Sequence, residues 1–398
     1  MTTNTPGFVG SRLTDARVAS SLSATQLAEA VGLSPQSISK YENGHQSPQI
    51  ETLHTLARAL GVPTTFFLKP KLQEHNEPVF WRGSLSAPAS MKARAAVRLE
   101  WMKEVVDYLA GFFNFPELSI PRIDIPAIDH VSLDFVEAAA EQVRRHWRVA
   151  PGPMPDVVER LEASGVLVSR IHLLIDKLDA FSQWSTHFSI PFVVLSRDKA
   201  SACRQRFDAL HELGHMVMHR AVDPRRLEDR SSYNSLEKQA HMFACAMLLP
   251  EREFLDELYA PSLDGFLALK ERWGTSVAAM IARCSALELL SEDQARMMWI
   301  NYNRRGWRKG EPLDSKIEKE RPHLIRRSFE MLIEERVQSV ADIRRSLPFP
   351  VNDLEEIADL EPGALGGDAT AKPEPRLKAQ FKADRTSNVV SISDVRKR

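Results

Sequence analysis

Cysteine is scarce in this chain: Cys203, Cys245 and Cys284 are the 3 in 398 residues, and no C-x-x-C pair occurs. That excludes a disulfide framework and a thiolate metal site, and it fits a reducing compartment. Long apolar runs are missing as well. Nowhere do about 18 consecutive apolar residues occur, and the opening MTTNTPGFVGSRLTDA has no basic segment leading into an apolar one. Neither secretion nor membrane insertion is therefore expected, and the cytoplasm is the expected location. An excess of charge of one sign is absent too: 52 Lys+Arg against 53 Asp+Glu leave a formal net charge of −1. With no global attraction to polyanions, contact with nucleic acid must come from a local surface. What remains, 43% hydrophobic and 26% charged residues, suits a soluble chain with a sizeable core and two or more domains.

Residues 11–68 read as about five short helices, with apolar positions at helical spacing in Leu27, Ala28 and Val31, in Ile38 and Tyr41, and in Leu53, Leu56, Ala57 and Leu60. Gly32, Asn43-Gly44, Pro48 and Gly61 mark the stops, Ser23 and Ser34 the N-caps, and Pro35 a first helical position. The stretch 71–90 is polar and proline-bearing apart from Val79-Phe80-Trp81 and reads as a linker. Helices follow over 89–113, 133–147 and 157–164, strands at VLVSRI and PFVVLS, and helices from near Ala202 and over 236–249. More helices are expected across 251–300 and 315–346. From Gly363 onward the composition is that of a disordered tail.

The most informative stretch is RFDALHELGHMVMH, residues 206–219. His211 and His215 stand four apart, one helical turn on one face, so both rings can point at one metal ion. Glu212, one step round the helix, is placed to take a proton from a water activated there. A catalytic zinc takes three protein ligands and leaves a fourth position open. The helix LEKQAHMFACAMLLP offers Glu237 and His241, again four apart, and either can reach the ion. His219, eight residues after His211, is rotated away and poorly placed.

These two segments resemble the ImmA/IrrE family of zinc metallopeptidases, and the resemblance extends over about 80–312. It implies a zincin-like domain with a small β-sheet, Zn2+ as cofactor, and Glu237 as third ligand beside His211 and His215. It also implies that His241 is second to the metal or faces the substrate. Tyr233, His241 or Tyr302 would then steady the oxyanion.

LAEAVGLSPQSISKYENG has the spacing of a helix-turn-helix, whose second helix would present Gln36, Ser37, Ser39 and Lys40 to the major groove. It resembles the XRE family of phage-repressor-like DNA-binding domains. One departure is Ala24, where that family usually carries a glutamine bracing the DNA backbone; Gln26 or Arg17 would have to take over that contact. Within 11–70, Arg12, Arg17, Lys40, Arg58 and Lys69 face Asp15, Glu29, Glu42 and Glu51, a margin of 5 − 4 = +1, so nonspecific affinity should be low.

The expected architecture is mainly α, of α+β class. A flexible N-terminus (1–10) leads into a five-helix DNA-binding bundle (11–70) and a linker (71–90). A metallopeptidase domain (91–312), a helical C-terminal extension (313–362) and a tail (363–398) complete it. The expected function is transcription regulation coupled to cleavage of a regulatory protein such as a repressor, acting as a homodimer on a pseudo-palindromic operator. The alternative is a regulator or antitoxin whose peptidase-like domain senses a signal without proteolysis. Self-cleavage within 70–90 is one further expectation.

Overall fold

The computed structural model describes residues 5–73, 78–83, 88–174, 178–198, 201–227 and 229–366. It is mainly helical, with one small mixed sheet. None of its described helices is long and apolar enough to cross a membrane.

Four α-helices open the chain: α1 (Gly10–Ala19), α2 (Ala24–Val31), α3 (Pro35–Glu42) and α4 (Ile50–Leu60). The fifth expected helix is a 3-10 turn, Thr64–Leu68. Ser23 builds a capping box with Gln26, Ser34 caps α3 ahead of Pro35, and Gly32 takes φ 68°, the left-handed conformation that closes α2. α1 crosses so close to α3 that a Cβ on Gly10 would lie 2.2 Å from the Tyr41 carbonyl oxygen. Residues 5–9, expected to be flexible, are tied down: the Thr5 hydroxyl donates to the Pro48 carbonyl at 2.7 Å, and the Val9 amide to Phe67 at 2.8 Å.

The stretch expected to be linker contains a strand, β1 (Val79–Gly83). Helix α5 (Ala89–Ala110), α6 (Leu133–His146) and α7 (Val157–Ala163) lead to β2 (Leu167–Ile171), β3 (Leu178–Trp184) and β4 (Pro191–Ser196). The sheet order is β1-β3-β4-β2, with β2 and β4 parallel and the other pairs antiparallel. Both faces of the sheet are covered, so β4 is apolar up to its last residue and even Ser169 and Arg170 of β2 are buried. One face, through Val168, Ala180, Val193 and Leu195, packs in the core of α8 (Ala202–Met218) and α9 (Arg230–Leu248). The other, through Leu167, Phe181, Phe192 and Val194, shares a core with α5 and the C-terminal helices.

Beyond α9 come α10 (Glu251–Glu257), α11 (Leu263–Trp273), α12 (Val277–Ala286) and α13 (Glu292–Arg304). The C-terminal group is α14 (Leu324–Glu334), α15 (Val340–Ser346) and α16 (Val351–Ile357). Gly363–Gly366, expected in the tail, instead turn back: Glu355 accepts from the amides of Gly363 and Leu365, and Leu365 is buried. The rest of that expected tail, 367–398, lies outside the described residues.

No gap in packing occurs near residue 70. Arg12 is fully buried and donates to both carboxylate oxygens of Glu104 on α5 at 2.6 and 2.7 Å, and to the carbonyls of Lys69 and Pro70. Phe66 meets Trp101 edge-on at 5.8 Å, and Trp101 packs on Phe349 at 5.3 Å. The N-terminal bundle, α5 and the C-terminal helices thus share one core.

Candidate metal centre and DNA-reading helix

Helix α8 begins at the Ser201 cap and is buried along nearly its whole length. Arg206 anchors it, donating to the Met154 carbonyl at 2.6 Å and pairing with Glu320. One turn of helix separates His211 from His215, and their Nε2 atoms lie 3.1 Å apart. Glu237 arrives from α9, its Oε1 3.1 Å from His215 Nε2 and its Oε2 3.4 Å from His211 Nε2. Gly214 permits that approach: a Cβ there would meet Phe243 Cδ1 at 3.1 Å and Ala240 Cα at 3.2 Å, both on α9. Burial opposes the charge of Glu237, but hydrogen bonds from His211 and His215 outweigh it and hold the carboxyl well below its usual range.

Among the described residues, these three form the one group of His, Cys, Asp or Glu whose donor atoms converge closely enough to hold an ion. Four ligands at 2.0–2.1 Å in a tetrahedron stand about 3.3 Å from one another, so the donor atoms and their spacing fit a zinc ion. Glu212 lies beside them, fully buried, with Oε2 accepting from the Ser182 hydroxyl of β3 at 2.5 Å.

A chain of hydrogen bonds runs behind His215. Its Nδ1 is 2.9 Å from His219 Nδ1, His219 Nε2 is 2.9 Å from Gln239 Oε1, and Gln239 Nε2 donates to the Ile128 carbonyl at 2.6 Å. Because the Gln239 amide nitrogen faces a carbonyl, its oxygen faces His219, so His219 Nε2 bears the proton. Burial pushes His219 well below its usual pKa, with His215 adding to the effect, so the ring is neutral and its Nδ1 accepts from His215. His215 Nε2 points toward the convergence point, where, with an ion bound, it would offer its lone pair. His219 is therefore no part of the converging set, in line with the sequence reading, yet it is central to the site. His219 stands four residues after His215, one turn along the same helix face.

Two more contributions were unforeseen. Phe80 of β1 stacks on His215, ring centroids 4.8 Å apart, and Ser182 of β3 holds Glu212. β1 is short and hidden in polar sequence, and Ser182 lies in a strand whose polar residues broke the apolar pattern. Tyr233 donates its hydroxyl to the Trp81 carbonyl of β1; burial first, then the charges of Glu237 and Glu212, push its pKa far up, so the hydroxyl keeps its proton. His241 lies over Phe207 at 4.8 Å and lines a cavity beside His211 and Glu237. Tyr302 is elsewhere: it donates to the Trp307 carbonyl at 3.0 Å and to Glu311 at 2.9 Å, in a network with Lys270 and Asp314. Its hydroxyl is committed to that network and not to the metal centre.

In the N-terminal bundle, α3 presents Gln36, Ser39 and Lys40 to solvent, while Ser37 is half-buried with its hydroxyl 2.9 Å from Ser34. Ser39 Oγ accepts from Asn43 at 3.3 Å. The two stand-ins for the missing glutamine are both occupied internally: Gln26 caps α2, and Arg17 pairs with Glu42 at 2.6 Å. Arg12 and Lys69 both contact Glu104, so of the five basic residues counted in this unit, Lys40 and Arg58 are the two with no such pairing described.

Comparison with known proteins supports both halves. Residues 13–67 match the family model described as Helix-turn-helix, and residues 161–285 match that of the IrrE N-terminal-like domain, a peptidase family. The chain carries both domains. Over 60 residues it is 38% identical to a Bacillus subtilis (strain 168) protein named as an SPbeta prophage-derived uncharacterized HTH-type transcriptional regulator. That match takes in 15% of this chain and 56% of the relative. The helix-turn-helix match runs from within α1 through α4, and the IrrE-like match runs from β2 to α12 and so includes α8, which carries His211, Glu212 and His215, and α9, which carries Glu237.

Proposed function

We propose that this chain is a cytoplasmic DNA-binding transcription regulator whose IrrE-like domain is a zinc-dependent endopeptidase acting on a regulatory protein such as a repressor. The observation that carries the reading is the convergence of His211, His215 and Glu237 beside the buried carboxylate of Glu212. When bound, Zn2+ supplies a Lewis acid that polarises the scissile carbonyl and acidifies water.

The protein's own groups do the rest. His219 and Gln239 fix the tautomer and ring plane of His215. Glu212 is the general base: it takes the proton of the attacking water and hands it to the departing amine. Ser182 holds one oxygen of that carboxylate, which fixes its orientation. Tyr233 and His241 are the candidate oxyanion donors. Tyr233 must first release the Trp81 carbonyl, whereas His241 already lines the cavity beside the ligands. On the DNA side, Gln36 can pair bidentately with adenine, Lys40 reaches guanine or phosphate, and Ser37 and Ser39 suit either. A single unit with so few free cations binds weakly, which favours a homodimer on a pseudo-palindromic operator.

A second reading, regulation without proteolysis, draws on β1: Phe80 covers one ring of the site, and the Tyr233 hydroxyl is occupied by the same strand. A comparative proteome of cells carrying the native chain or Glu212→Gln separates the two. A protein cut only by the native form names the substrate. Identical proteomes, with zinc bound in both forms and regulation intact, refute the peptidase and leave the sensor.

A further inference from the structure

Helix α13 is held by the rest of the fold along one side only. Ala295, Trp299 and Tyr302 turn inward onto the core, while the opposite face carries Asp293, Met297, Ile300 and Arg304 at helical spacing, all four exposed. Met297 is 53% and Ile300 41% exposed, and among the described residues they are the one pair of exposed large apolar side chains that shares a helix. A groove of about 670 Å³ against Pro261 and Leu263 leaves the flank of the helix open as well. Leu289, just ahead of the helix, is also exposed. An apolar patch bounded by charge has the anatomy of a protein interface.

The order of the residues says what covers them. Along this face the chain reads acid, apolar, apolar, base, with four residues from Asp293 to Met297 and again four from Ile300 to Arg304. A second copy laid antiparallel, about a two-fold axis between Met298 and Trp299, therefore sets Asp293 against the partner's Arg304 and Met297 against the partner's Ile300. Each contact occurs twice, as a closed two-fold interface requires. A parallel copy would oppose like charges. Neither Asp293 nor Arg304 has an ion pair within its own chain among the described residues, whereas the neighbouring Arg305 is paired with Asp264 at 2.6 Å. The two helix dipoles also run in opposite directions in the antiparallel arrangement.

We infer that the outward face of α13 is a homodimer interface, in which two copies of this chain pair their α13 helices antiparallel. The patch is small, which sets the affinity in the micromolar range. Two DNA-reading units carried by one dimer then reinforce each other's weak binding. The surface itself stands on α13; its use on DNA rests on the regulator reading above.

Sedimentation equilibrium on the full chain, without DNA, tests the surface. The native protein should dimerise with a micromolar dissociation constant. Asp293→Arg alone and Arg304→Asp alone should each weaken association roughly 10- to 30-fold, because two attractions become two repulsions. An equimolar mixture of those two variants should recover near-native association, since each meets its complement in the other; that rescue separates a lost contact from a lost fold. Ile300→Arg should weaken the dimer by about 100-fold. A native chain that stays monomeric at about 100 µM, weaker than specific interfaces allow, overturns the inference. So does a dimer indifferent to all three variants, or a mixture that associates no better than its parts. If the dimer responds as expected but Ile300→Arg binds genomic fragments as tightly as the native chain in gel shifts, the interface stands and its use on DNA falls.

Discussion

Replacing His219 by alanine removes no atom from the converging donor set, yet it should weaken zinc binding substantially. In the native chain His215 Nδ1 donates to His219 Nδ1 at 2.9 Å, and that bond decides which nitrogen of His215 has the free lone pair. The alanine variant leaves a buried N–H without its acceptor, a cost of about 1–3 kcal/mol. It also frees the ring to take the other tautomer. Loss of such an orienting partner weakens metal affinity about 10–100-fold. Gln239→Leu, one bond further out, should act in the same direction and less strongly. The assay is competition for zinc against a chromophoric chelator at fixed pH, alongside thermal unfolding of metal-free protein. A merely structural role for His219 would lower the melting temperature without changing zinc affinity. A dissociation constant within about 2-fold of native refutes the orienting chain outright.

Glu212→Gln should keep zinc and lose about 10²–10⁴-fold in peptide hydrolysis, measured on whichever substrate the proteome identifies; full activity would remove the general base from the mechanism. Gly214→Ala should fail to give the ~1 kcal/mol that the change yields in an open helix, because its Cβ would press on Phe243 and Ala240. The same variant should bind zinc less well, as chelator competition would reveal. Lys40→Ala should weaken DNA binding in gel shifts and reduce the salt dependence by about one unit of slope, whereas Arg12→Ala should act on stability alone. Glu162, buried and capping the amides of His323 and Leu324, has its pKa pushed up to about 7 by burial against those hydrogen bonds. The fold therefore prefers the protonated acid. Its stability should rise as pH falls from about 7 toward the unfolded value near 4.5, by at most about 3 kcal/mol, and Glu162→Gln should flatten that dependence in urea titrations.

Local signals were the readable ones. Ser23, Ser34, Pro35, Gly32 and Gly61 punctuate the first helices because capping and left-handed turns are decided by a few neighbouring residues. β4 was legible because both of its faces are buried, and β2 because Val166, Leu167 and Val168 open it with an apolar run. β3 was not, since Ser182 and Gln183 interrupt its apolar pattern and reach partners on other elements. The same division holds at the site. His211, Glu212 and His215 follow from one helical turn, and Glu237 required a resemblance to choose it over His241. Phe80, Ser182 and Gln239 reach the centre only through tertiary folding, and no spacing rule connects them. α9 begins at Arg230, six residues before the expected start, because Asp229 caps it and the polar first turn carries no apolar period.

The pairing of Arg12 with Glu104 gives the border near residue 70 an unusual character. A nick in the connector would sever the thread but not the seam, since a buried guanidinium, a carboxylate and three interlocked rings would still bind the two pieces. Once pried apart, the DNA reader would face water with an orphaned cation set in a greasy flank. Damage there would be felt as a fragment that clings or precipitates, not as a regulator set free.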